Sequence, residues 1–442
     1  MHTDAIVALS YRQEGARGPA RIGLGMTFGA GRTNAGRIDA RELARDDAAD
    51  AARFFSRVAY AILALGAPIG VVVHPLALFV VFPIGVALIL MAAALEGAPG
   101  FIDRAMRAFR APPFLALIAG LVWATLSILW TPYPVSAAQH VLKLGLLIGA
   151  ALAAVSAPHG NARATDLYLF PIGVVCGMAA MAAMGLTHVL TGSANIAGLE
   201  AGGVALAVLL FPAIGGLTAR GRNGYARLLL ILALAFAYID GYTPLTVALF
   251  AGYLALSFAL SDMARTAREL AWGGLALVLF CPLIAALAPT VSAWVFHVKL
   301  ATLPAVYQPL SVASDIFTHE RLRLITGHGF ETVARGFRGM ILPAHTPKAL
   351  AFTVWYELGI VGALIAAAGV WLAFHGLPKA PPRLAPFLAA GMTAVVAIAF
   401  LNVDFDDMTA PTLLAVAVIS ADVAARSQYR TTRPSVASLA NL

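Results

Sequence analysis

Charge is what this chain has least of. Asp, Glu, Lys and Arg make up 12% of its 442 residues, roughly half the share in an ordinary soluble domain. With 60% hydrophobic residues and a mean hydropathy of +0.83, that deficit excludes a soluble globular fold. Cysteine is nearly absent. Cys176 and Cys281 each sit in an apolar stretch, so no disulfide is expected, and no CxxC metal motif exists. There is no GxxxxGK[ST] phosphate loop and no HExxH helix, so neither nucleotide hydrolysis nor zinc proteolysis is implied. Strand-like alternation is missing, which argues against an outer-membrane barrel. Residues 1–52 lack the apolar core of a cleavable signal peptide.

What is present is apolar sequence in long runs. Stretches of about 18 residues or more recur along the chain, the length a bilayer core requires. Inside hydrocarbon every backbone polar group needs an internal partner, so these stretches are expected to be helices. The expected fold is an all-α polytopic membrane domain over 53–426 with about twelve transmembrane helices. They run near 54–73, 76–95, 113–130, 139–157, 167–190, 199–217, 227–239, 244–261, 271–292, 350–373, 384–402 and 410–425. Polar, Arg- and Gly-containing residues 1–52 are expected as a disordered or loosely helical tail, and 427–442 as a second tail.

Basic residues fall in every second loop: Arg104, Arg107 and Arg110; Arg163; Arg220, Arg222 and Arg227; Arg265 and Arg268; Lys379 and Arg383; Arg426 and Arg430. The alternate short loops carry almost none. By the positive-inside rule both termini are expected in the cytoplasm, and the net charge of +8 reflects topology rather than nucleic-acid binding.

One polar segment, 293–349, interrupts this frame between the ninth and tenth spans. It holds four of the ten histidines (His297, His319, His328, His345), six basic residues (Lys299, Arg321, Arg323, Arg335, Arg338, Lys348) and three acids (Asp315, Glu320, Glu331). By alternation it faces the periplasm or exterior. Its basic excess then lies on the side where such residues are scarce. Long loops escape the rule, but an anionic ligand also accounts for the excess. A guanidinium forks onto two phosphate oxygens, so paired arginines beside a membrane suit a lipid diphosphate. Arg321 and Arg323 are one such pair, and Arg335 and Arg338 share a helix face. The bland alternative is salt bridges to Glu320 and Glu331, or contact with lipid headgroups. Lys143, in the outer half of the fourth span, either snorkels to the surface or reaches toward a phosphate.

His345 lies between Pro343 and Pro347 at the mouth of the tenth span, where an imidazole can serve as general base near neutral pH or simply satisfy a hydrogen bond. Lys348 follows and can bind phosphate or headgroups. His328, in a Gly-His-Gly turn, reads as structural. Glu357 lies within the apolar run of the tenth span and needs a partner, an Arg being the expected one. Asp404, Asp406 and Asp407 read as a solvated loop rather than a cation site.

Three blocks among these residues resemble the O-antigen ligase and polymerase superfamily. WTPYPVSAAQHVLKL resembles its W-S-x-x-P pattern. ERLRLITGHGFETV resembles its G-R…G-h-G-f stretch. HTPKALAFTVWYELGIVGALI resembles its H-N-x-x-L-q-x-w-x-E-x-G-l-h-G signature. The resemblance implies a GT-C-like helical fold and a metal-independent, inverting glycosyl transfer needing no cofactor. It implies an undecaprenyl-diphosphate-linked glycan as donor, and as acceptor a hydroxyl on lipid A core or on a growing polysaccharide, in the bacterial inner membrane. His345 or Lys348 would handle the acceptor, with Arg321, Arg323, Arg335, Arg338 and Lys143 at the diphosphate and Glu357 and His328 in support.

Two positions differ from that pattern. The histidine slot nine residues before Glu357 holds Lys348, with His345 three residues earlier. The stretch DGYTPLT at the eighth span carries no Arg where the family has one. A polymerase of the same superfamily, a non-catalytic polysaccharide-assembly partner, and a transporter are the other classes compatible with the layout. The transporter reading expects an internal repeat, and no such repeat is visible.

Overall fold

The computed structural model of the chain describes residues 40–97, 100–157, 169–192, 196–295, 308–319, 323–339, 342–343, 346–347, 349–401 and 408–426. Among them the only regular structure is helical. Met1–Arg45 clusters apart from Asp46–Leu442, and the description below concerns the latter. Of the expected tail at 1–52, residues 1–39 lie outside the described residues. From Ala40 the chain is helical, in an Ala-rich stretch that favours helix.

The helix α1 (Ala40–Ala61) passes through a π turn, Ile62–Gly66, into α2 (Ala67–Val73). His74-Pro75 turns the chain back into α3 (Leu78–Leu95). The basic stretch after it was expected as a loop. It is a short amphipathic helix, α4 (Phe101–Phe109), with its one acid in the first turn and Arg107 in the last, as the helix dipole favours. The helix α5 (Pro112–Ser127) is bent 72° from it at Arg110–Ala111. Thr131-Pro132-Tyr133 leads into α6 (Pro134–Ser156), which begins five residues before the expected 139 because Pro134 is tolerated in the first turn of a helix.

Next come α7 (Leu169–Thr191), α8 (Ile196–Ala219), α9 (Asn223–Asp240) and α10 (Thr243–Ser261). The expected ninth span, 271–292, is not one straight helix. It is α11 (Met263–Leu279) and α12 (Cys281–Val295), bent by 75° at Phe280, with Pro282 opening the second piece. The expected large loop holds three helices, α13 (Gln308–His319), α14 (Arg323–Thr326) and α15 (Thr332–Arg338). The chain ends with α16 (Leu350–Gly376), α17 (Ala385–Phe400) and α18 (Thr409–Arg426).

Among the described residues eight helices are long and apolar enough to cross a bilayer, up to ten if each bent pair is one span. Two shorter apolar helices correspond to the expected eleventh and twelfth spans. The chain is therefore a membrane-embedded, multi-helix protein. Its exposed surface carries many large apolar side chains, such as Leu146, Ile231, Phe250 and Leu364, as lipid contact demands.

The main core gathers around α8, whose apolar stretch is 83% buried against α7, α17, α18 and α2. Close helix contact there depends on small residues. A Cβ on Gly173 of α7 would lie 1.9 Å from Ala64 O, so only glycine fits. A second core joins α12, α13 and α15 to the first half of α16 through Ala285, Phe317, Val333, Phe352, Trp355 and Tyr356. The polar segment is thus packed onto the membrane frame at the end where α5 and α11 stop and α6 and α16 start.

Candidate functional site

The helix α16 is broken inside its span. Gly359 has φ 64° and ψ −160°, a conformation essentially restricted to glycine. The break frees the carbonyls of Tyr356, Glu357 and Leu358 from their usual partners four residues on. Three distant groups fill the vacancy. His328 donates to Tyr356 O from both its backbone N–H and its ring Nδ1, each at 2.9 Å. Gly329 N–H donates to Glu357 O at 2.9 Å, and the indole N–H of Trp123 to Leu358 O at 2.9 Å. The Gly327-His328-Gly329 turn fits only because its two glycines lack side chains. A Cβ on Gly327 would lie 2.2 Å from Glu357 O, and one on Gly329 2.5 Å from the backbone of Thr131.

His328 also stacks flat on Tyr356, ring centroids 3.9 Å apart. Glu357 is 2% exposed. Its Oε1 accepts from Val333 N–H at 2.8 Å, in the first turn of α15, so the carboxylate caps that helix.

The turn continues into Phe330 and Glu331, and these are tied to the α5–α6 connection. Phe330 N–H donates to Ser127 Oγ at 3.1 Å, and Thr131 Oγ1 donates to Phe330 O at 2.8 Å. Glu331, 8% exposed and with φ 71°, points its carboxylate at the first two turns of α6. Ser136 Oγ donates to its Oε1 at 3.2 Å, and His140 Nδ1 lies 2.7 Å from its Oε2. Arg335 Nε donates to Ser136 Oγ at 2.7 Å and sits 3.6 Å from Glu331. Burial works against ionisation of Glu331. His140, Ser136 and Arg335 outweigh it and hold the carboxyl below the ordinary glutamate range. The neighbouring indole N–H of Trp130 is buried without an acceptor among the described residues.

The structure accounts unevenly for the expected site residues. His345, Lys348 and Arg321 lie outside the described residues, as do Asp404, Asp406, Asp407 and the side chain of Arg338. Arg323 is exposed on α14 and borders a space of about 10 Å³ that His328, Trp355 and Tyr356 also line, room for about one water. Lys143 is exposed on α6, three residues past His140. Arg335 faces Ser136 and Glu331, the ion-pair alternative. Glu357 was expected to pair with an Arg. One bond of its carboxylate goes to the backbone of α15, at Val333 N–H.

Ser136 and His140 carried no assignment from sequence, although both stand in the WTPYPVSAAQHVLKL block. Their spacing of four, just after Pro134, is the signal that puts them on one face of a helix start. No group of three or more His, Cys, Asp and Glu residues suited to a metal exists among the described residues. Comparison with family models, with curated proteins and with solved structures finds no match for this chain.

Proposed function

We propose that this chain is an inner-membrane glycosyltransferase of the O-antigen ligase type, with about twelve spans in a GT-C-like arrangement and both termini cytoplasmic. It moves a glycan from undecaprenyl diphosphate to an acceptor hydroxyl on the periplasmic side. One observation supports the reading above the others. The three blocks that carry the resemblance are far apart in sequence, yet residues of each meet in one junction. Thr131, Ser136 and His140 of the first block bond Phe330 and Glu331 of the second, and His328 and Gly329 of the second bond Tyr356 and Glu357 of the third. A structural tether needs some of these bonds. A buried carboxylate flanked by histidine, serine and arginine, beside exposed Arg323 and Lys143, also supplies groups for an anionic lipid-linked substrate.

On this reading the diphosphate is already a good leaving group, so charge stabilisation by Arg321, Arg323, Arg338 and Lys143 supplies much of the catalysis. His345 or Lys348 positions the acceptor. The test is glycan transfer by membranes carrying His345→Ala or Lys348→Ala. Both should lose transfer at parental protein level, and normal transfer by both removes the assignment. In a deletion strain a ligase leaves polymerised glycan on its lipid carrier, whereas loss of a polymerase leaves single repeat units.

A further inference from the structure

We infer that His140 is a proton acceptor of this site, its Nε2 taking the proton of the attacking acceptor hydroxyl, with Glu331 as its positioning residue. The inference rests on the glycosyl-transfer reading and adds to it a residue to which the resemblance assigns no role.

The geometry fixes the ring. An ionised carboxylate can only accept, so the 2.7 Å contact between Nδ1 and Glu331 Oε2 places a proton on Nδ1. In the neutral ring Nε2 then carries the lone pair. The ring of Phe330 holds the imidazole from another side, edge-on, with centroids 5.3 Å apart. Nε2 has no hydrogen-bond partner among the described residues, and it is not among the buried polar atoms that lack one. The side chain is 12% exposed, so the ring is held mostly inside, with its unbonded nitrogen not fully buried.

Glu331 itself is held in a costly backbone conformation. It and Met408 are the two non-glycine residues with positive φ among those described. Such strain persists where the surroundings enforce it, here through the bonds of Phe330 to Ser127 and Thr131. A carboxylate that orients one imidazole nitrogen and leaves the other facing outward is the arrangement general-base catalysis uses.

Among the described residues few other charges face the pair. Arg335 lies against Glu331, and Lys143 is three residues along α6. Of the helices packed on α6, α3 and α5 contain no titratable residue. Asp103, Arg104 and Arg107 of α4 belong to the opposite end, where Arg104 donates to Ser156 O. Asp422 and Arg426 are in the last turns of α18.

The step balances. The acceptor oxygen forms a bond to the anomeric carbon as the bond from that carbon to the diphosphate oxygen breaks. The electron pair leaves with the diphosphate, and the hydroxyl proton passes to Nε2.

The test uses the full chain in detergent or liposomes with a lipid-linked glycan and its acceptor. His140→Asn overlays its amide nitrogen on Nδ1, so it keeps the bond to Glu331 and lacks Nε2. The expected result is a kcat about 10²–10⁴-fold lower, a parental KM and Tm, and loss of the acidic limb of the kcat–pH profile. In His140→Ala, added imidazole should restore part of the transfer. Parental kcat and pH profile in His140→Asn overturn the inference. So does a fall in Tm of both variants with no imidazole recovery, which makes the pair a tether. If the parent itself transfers no glycan, the glycosyl-transfer reading fails and this inference fails with it.

Discussion

Gly327 and Gly359 lie back to back across the break in α16. A Cβ on Gly327 would lie 2.8 Å from Gly359 N, and one on Gly359 2.7 Å from Gly327 N. Both residues also have positive φ, 71° and 64°. Neither position has space or backbone freedom for a larger residue. Gly359→Ala or Gly327→Ala should each cost about 2–4 kcal/mol, combining the backbone penalty with overpacking. Thermal unfolding of the detergent-purified protein checks this, and an unchanged Tm refutes it.

Acid should loosen the junction. The folded-state pKa of Glu331 is lowered, so its ionised form favours folding. That contribution is complete above the unfolded value, near ~4.3. It is lost as pH falls through the depressed folded value. Tm should therefore drop on acidification through this range. Glu331→Gln should flatten that dependence, and at neutral pH it should cost about 1–3 kcal/mol through the weakened bonds to His140 and Ser136.

The contact of α7 with the π turn allows no side chain. Gly173→Ala would put a methyl group 1.9 Å from Ala64 O, a backbone atom that cannot swing away. The helices must separate, and the expected outcome is loss of monodisperse protein on size-exclusion chromatography. Gly216→Ala, with nothing within 4 Å of its Cβ, is the matched control and should behave as the parent does.

Arg323 and Lys143 are exposed, so their removal should leave Tm unchanged. If they hold a diphosphate, Arg323→Ala and Lys143→Ala should each raise the KM for lipid-linked glycan about 10- to 100-fold, the worth of a hydrogen bond between charged groups. A parental KM in both would remove them from the substrate site.

Helix positions were legible in the sequence because apolar runs report directly on the bilayer. The breaks were harder to read. Pro112-Pro113 and Pro282 each stand just after a sharp bend, yet Pro83, Pro212 and Pro289 sit inside helices that continue through them. A proline marks a possible bend, and packing decides whether it happens. Glu357 was recognisable as a residue needing a partner, because a carboxylate in an apolar run is costly. Its bond from Val333 N–H was not recognisable, since a backbone donor of α15 leaves no trace in the sequence. The pairing of His140 with Glu331 spans 191 residues. Only the folded chain brings them together.

The groups that close the break in α16 are Trp123, His328 and Gly329, and each precedes Tyr356, Glu357 and Leu358 along the chain. A ribosome delivers them first. The interrupted helix therefore emerges to find its cradle already synthesised. Vectorial synthesis suits this arrangement, and a circular permutant starting between Gly339 and Leu350 would have to assemble it in reverse.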